Sequence, residues 1–115
     1  MTLRYHLRIS QGATFQLTIP VLDENGNPAS LSGMTARGQI RAHAAATTIL
    51  HEWTMLDAGL AFDGGNVVLS VPAATSSAWT FRTGSYDVEL IDGDGDITRL
   101  IEGHVIVHPE VTRPV

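Results

Sequence analysis

The residues of this chain best equipped for chemistry are an acidic turn and a set of scattered histidines. Asp92-Gly93-Asp94-Gly95-Asp96 puts carboxylates at alternate positions, as the opening of a calcium loop does. The bidentate glutamate that closes such a loop belongs at position 103, which is Gly103. Asp-Gly-Asp-Gly between two alternating segments is also the composition of a hairpin turn that needs positive φ, and a turn is expected here. His51-Glu52 opens like the helix of a zinc protease, but the second histidine position holds Met55 and the segment reads as strand. His6, His43 and His104 fall in different strands, where solvent-facing positions are the default and a metal site is not expected. Ser76-Ser77 has no Gly-x-Ser-x-Gly elbow around it. The glycine-rich stretches sit at turns and open no helix after a strand, so no phosphate cradle is indicated. These readings point to a protein that is not an enzyme, with no catalytic residues, no metal and no cofactor.

Arginine is the more suggestive residue type. Arg4 and Arg8, with His6 between them, line the outer face of one strand; Arg37 and Arg41, flanked by Gln39 and His43, line another. Asp87 and Glu89 on a further strand, together with the aspartate turn, supply acid. Arg4, Arg8, Arg37, Arg41, Asp87 and Glu89 are therefore the candidate protein interface, a basic patch facing the acidic surface of a neighbouring copy or partner. The plain alternative is a solvated sheet face. All seven basic side chains are arginine and none is lysine. Planar bidentate pairing would favour that choice; a GC-rich genome would produce the same bias.

Charge is split along the chain. Residues 1–50 carry net +2 and residues 51–115 net −7, within an overall −5. An acidic balance argues against general nucleic-acid binding, which needs a basic footprint. If the two halves formed opposite sides of the molecule, they would favour a head-to-tail contact between copies, of the kind that closes into a ring. Intermixing of the two signs in three dimensions is the alternative.

The elements that must position these groups are strands. A chain of 115 residues with 43% hydrophobic and 17% charged residues has the size and composition of one folded domain, spanning 1–115. Cysteine is absent, which removes disulfides and thiolate sites. Apolar runs are too short to span a bilayer, and Met1 to His6 has no secretory h-region, so use without export is expected.

Leu3, Tyr5, Leu7 and Ile9 alternate with Arg4, His6, Arg8 and Ser10, then Phe15, Leu17, Ile19 and Val21 resume the alternation. Pro20 places the end of that second strand at a sheet edge or bulge. Asp23 to Pro28 is a turn containing Asn25-Gly26. Further strands are expected from Met34 to Ala42, Thr48 to Met55, Leu60 to Phe62, Val67 to Val71, Tyr86 to Leu90 and Thr98 to His108. In the Thr48 to Met55 strand both phases are apolar, and the favoured one turns Leu50 inward with Trp53 partly buried. One short helix is expected near 73–80, with Pro72 at its start and Trp79 and Phe81 plugging one end. An extended tail follows from 109 to 115. Short strands at steady intervals describe an all-β, antiparallel β-sandwich, immunoglobulin-like in the first instance, with a jelly roll as the alternative.

Several segments, taken in order, carry a resemblance. They are Ile9-Ser10-Gln11-Gly12-Ala13-Thr14-Phe15, Leu31 through Arg41, Gly84-Ser85-Tyr86-Asp87-Val88-Glu89-Leu90, Thr98 through Gly103, and Pro109 to Arg113. Together they resemble small β-sandwich virion proteins of tailed bacteriophages, related to the collar or adaptor components through which side tail fibres join the tail. The resemblance spans Leu7 to Arg113. It implies a multi-copy structural protein of the virion, made in the cytoplasm of the infected host. Its partners would be other copies of itself and tail, collar or fibre proteins, with neither nucleic acid nor membrane. A capsid decoration protein is the alternative within that class. A carbohydrate-binding module is the alternative outside it, and would need Trp53, Trp79, Tyr5 or Tyr86 exposed.

Overall fold

A computed structural model describes residues 2–112; Met1 and residues 113–115, which include the end of the expected tail, lie outside it. The elements are β1 (Leu3–Arg4), β2 (Leu7–Ser10), β3 (Phe15–Pro20), β4 (Thr35–Arg41), β5 (His51–Trp53), β6 (Leu60–Asp63), β7 (Asn66–Val71), α1 (Ala73–Ser77), β8 (Thr83–Ile91) and β9 (Ile97–His108). They form two sheets. One has six strands in the order β1-β9-β8-β4-β5, with β2 also on β9; the other has three, in the order β3-β7-β6. The fold is all-β, a sandwich with one short helix. A β3-β7-β6 sheet facing a β9-β8-β4-β5 sheet has the B-E-D against G-F-C-C′ strand order of immunoglobulin-like sandwiches.

Alternation builds the core. Leu7 and Ile9, Ile40, Val88, Val67, Leu69, Val71, Val105 and Trp53 are all fully buried. β3 is an edge strand, and Pro20, opposite Asn66 at its end, sits where a missing N–H costs no ladder bond. At one end of the sandwich α1 covers the core. The buried Ser76 hydroxyl accepts from the Gly12 N–H at 2.9 Å. The Gln11 amide donates to the Trp79 carbonyl at 2.9 Å and accepts from the Glu110 N–H at 3.0 Å. Trp79 and Phe81 meet there with ring centroids 4.8 Å apart and planes tilted by 34°.

Three features differ from the sequence reading. The first strand is two pieces, broken at Tyr5-His6, and both run parallel to β9 rather than antiparallel. The register is the same across the break, Leu3 opposite Ile101 and Leu7 opposite Val105. Leu3 and Tyr5 are exposed because three strands do not cover this corner of a six-stranded sheet. The second difference is the phase of β5: Trp53 is fully buried and Leu50 only packs at the margin of the core. Trp53 lies opposite Gly38, where an added Cβ would come within 3.1 Å of its ring. The missing side chain on β4 is what admits the indole. The third is a bulge in β9, described with the site it builds.

A second aromatic crosses a second glycine. Tyr86 on β8 pairs with Gly103 on β9, and its hydroxyl donates to the Tyr5 carbonyl at 2.6 Å. A Cβ at position 103 would fall 2.1 Å from that carbonyl oxygen. Glycine is required here for close backbone approach, and Tyr86 fills the space over it.

Candidate functional site

Each inner-facing residue has an outward neighbour, and on the six-stranded sheet those neighbours are mostly charged. Arg37, Gln39 and Arg41 project from β4, Asp87 and Glu89 from β8, Arg99, Glu102 and His104 from β9, Arg4 from β1 and Arg8 from β2. A shallow groove of about 520 Å³ runs across this face, lined by Arg4, Arg41, Asp87, Glu89, Arg99 and Glu102 among others. Four of the six sequence candidates (Arg4, Arg41, Asp87 and Glu89) therefore line one groove, with Arg37 beside it; Arg8 lies further along the same face.

Arg37 and Glu89 are direct cross-strand neighbours and pair at 2.9 Å. Arg4 pairs with Glu102 at 2.9 Å, and Arg99 reaches both Glu102 at 3.0 Å and Asp87 at 3.4 Å. Arg41 has its fork closed internally: Nε and Nη2 donate to Gln39 Oε1, and Nη1 to the Ala46 carbonyl at 2.6 Å. Gln39 in turn donates to Glu52 at 3.0 Å. Arg41 therefore anchors the loop from 42 to 49. Burial raises the Asp87 carboxyl above its ordinary range; Arg99 opposes this, while Glu89 and Glu102 add to it. Surface pairs of this kind contribute between about 0 and 1 kcal/mol each.

Of the two arrangements that the charge split allows, these pairs fit intermixing. Sequence halves of a sandwich interleave between strands, so Arg37 of the first half meets Glu89 of the second, and Arg4 meets Glu102. Arg8 makes no ion pair among the described residues.

Arg99 and Glu102 were not singled out from sequence. Strict alternation puts positions 99 and 102 on opposite faces of a strand. The register between β8 and β9 shifts at Val88/Glu89, and Leu100 and Ile101 are both buried as a result. The bulge brings Arg99 and Glu102 to the same face. The signal for it is the adjacent apolar pair Leu100-Ile101, which a regular half-buried strand does not need.

The histidines separate into different roles. His6 and His104 stack at 5.1 Å, and the His6 Nδ1 accepts the His104 N–H at 3.0 Å. That bond occupies the Nδ1 lone pair of His6. His51 is half-buried, edge-on to Trp53 at 5.1 Å and to Trp79 at 5.2 Å. Burial lowers its pKa, with Asp57 and Glu52 opposing. His51 Nε2 and Trp53 Nε1 are buried without a hydrogen-bond partner among the described residues. His43 is exposed in the loop after β4. Among the described residues, no group of three or more His, Asp or Glu side chains could hold a metal ion.

The acidic turn has a twin. Asp92 Oδ1 accepts from the Asp94 and Asp96 N–H groups, both at 2.9 Å, and the Gly95 N–H donates to the Asp92 carbonyl. Asp23 Oδ1 accepts from Asn25 and Asn27 at 2.9 and 3.0 Å, and the Gly26 N–H donates to the Asp23 carbonyl. Gly95 and Gly26 have φ of 85° and 81°. Both turns close by the same side-chain bonds around one left-handed glycine.

Both turns, with the β6–β7 turn, sit at the same end of the sandwich: Val21 donates to the Gly65 carbonyl, and Gly93 lies against Gly33. Asp23, Glu24, Asp63, Asp92, Asp94 and Asp96 gather there, and residues 22–33, 62–66 and 92–96 contain no arginine. At the opposite end, around α1, lie Arg82, His108 and Glu110, whose carboxylate accepts from the Ser77 hydroxyl. Carboxylates are thus concentrated at the turn end of the sandwich.

Of the aromatics a sugar platform would use, Trp53, Trp79 and Tyr86 are 0%, 9% and 4% exposed, whereas Tyr5 is 53% exposed. No helix among the described residues is long and apolar enough to cross a membrane. No known family model matches the sequence, and no curated protein is similar to it.

Proposed function

We propose that this protein is a structural component of a tailed-bacteriophage virion. In that reading it is a multi-copy tail or neck adaptor that joins fibres or a collar to the tail by docking against other proteins. The observation that carries the reading is where the resembling segments fall. Thr35–Arg41 of the second segment, Gly84–Leu90 and Thr98–Gly103 are distant in sequence but lie on β4, β8 and β9, neighbouring strands of one sheet. Their outward residues line the charged face. A resemblance shared by residues that meet on one surface fits a protein whose work is contact. The mechanism is rigid docking, with the charged face, the edge strands and the two ends as contact surfaces. Catalysis has no part in it.

Mass spectrometry and immunogold labelling of purified particles test this reading. The expected result is several copies per particle, with label at the tail or neck. Absence from washed, infectious particles would overturn it. Label spread over the head would favour the capsid decoration reading.

A further inference from the structure

We propose that Asn25 is a spontaneous modification site, losing its side-chain amide to become aspartate or isoaspartate, with Gly26 supplying the attacking nitrogen. The Gly26 backbone nitrogen gives up its proton and attacks Cγ of Asn25. The new N–C bond closes a five-membered imide, the Cγ–Nδ2 bond breaks, and ammonia leaves with a proton. Water then opens the ring. Cleavage at Cγ yields aspartate, and cleavage at the backbone carbonyl yields isoaspartate, whose chain continues through the side chain. Water enters, ammonia leaves, and no oxidant or reductant is involved.

The structure separates this asparagine from the other two. Asn27 precedes Pro28, whose nitrogen has no proton to lose. Asn66 lies within β7, opposite Pro20 and Asp63, and precedes the branched, fully buried Val67. Asn25 and Gly26 are both exposed, and nothing lies within 4 Å of where a Gly26 Cβ would stand. The attack is opposed by two bonds: the Gly26 N–H donates to the Asp23 carbonyl at 3.1 Å, and the Asn25 N–H donates to Asp23 Oδ1 at 2.9 Å. The turn is anchored by the Asp23 N–H to Asn27 carbonyl bond and by the isolated Leu22–Pro28 bridge. It can open without disturbing a strand pair, and such local openings are cheap compared with global unfolding.

The twin turn shows what each product would do. Asp94 occupies the position equivalent to Asn25 and keeps the same bonds. The aspartate product therefore fits the turn and adds one negative charge to the acidic end. Isoaspartate lengthens the backbone by a methylene and displaces the N–H groups that Asp23 holds.

The test is incubation of the intact protein at mildly alkaline pH and physiological temperature, beside a free peptide spanning Asp23–Asn27. Peptide mapping and isoaspartyl methyltransferase labelling read the outcome. Position 25 should gain one mass unit, at a rate within about a hundredfold of the peptide's, while positions 27 and 66 stay unchanged. Asn25→Ser should abolish the gain. Asn25→Asp should melt at the same temperature as the starting protein. Full conversion of the peptide with none in the protein, or equal conversion at Asn66, would overturn the proposal.

Discussion

Neighbouring residues on β8 do opposite work. Tyr86, Val88 and Leu90 turn inward and are 4%, 0% and 4% exposed, whereas Asp87 and Glu89 turn outward into a lattice of arginines. The inner face holds the sheets together through aromatics laid over glycines: Trp53 over Gly38, and Tyr86 over Gly103. The outer face is a set of solvated ion pairs between neighbouring strands. Core packing and surface pairing are thus carried by side chains one residue apart, and a substitution on one face should hardly trouble the other.

Four substitutions test that separation. Trp53→Ala empties a fully buried site and should cost about 3–5 kcal/mol by denaturant melting. A loss near zero would mean the inner face is not packed as described. Gly103→Ala drives a methyl into the Tyr5 carbonyl, so a loss of about 1–3 kcal/mol is expected. Faster amide exchange at residues 3–6 should accompany it, since the edge strand must move away. Tyr86→Phe removes the bond to Tyr5 and should cost about 1 kcal/mol.

The same residue imposes a pH dependence. Burial, with Tyr5 adding to it, raises the phenol well above its ordinary value of 10.0. A raised folded-state value contributes stability that is complete below the unfolded pKa and is lost as pH climbs past it. Alkaline destabilisation should therefore set in above about pH 10 and be shallower in Tyr86→Phe. Arg37→Ala, on the outer face, should cost less than about 1 kcal/mol, and its effect should shrink further in high salt. A loss as large as that of Trp53→Ala would erase the distinction between the faces.

Much of this architecture is legible in residue periodicity, because burial on one side of a strand writes itself as alternation. Val67, Leu69 and Val71 mark β7, and Tyr86, Val88 and Leu90 mark β8, without ambiguity. Pro20 identifies an edge because it cannot donate. The rest depends on partners far away in the chain. Around Trp53 both phases are apolar, and the choice is made by Gly38 on another strand. Arg99 and Glu102 share a face only because β9 bulges at Leu100-Ile101. Parallel pairing of the first strand with the last is a long-range fact with no local signature. The candidate interface was legible as residue types on strand faces. That two sequence-separated groups of arginines share one sheet with the acids that neutralise them was not.

The gathering of Asp23, Glu24, Asp63, Asp92, Asp94 and Asp96 at one end has a further consequence. At physiological ionic strength a charge is felt over about 8 Å, while the body is 49 Å long. The two ends are therefore electrostatically deaf to each other. A cationic surface that comes within that distance of the turn end meets six carboxylates and no arginine among residues 22–33, 62–66 and 92–96. The acidic surface of this end is thus set by three turns that contribute almost nothing to the core.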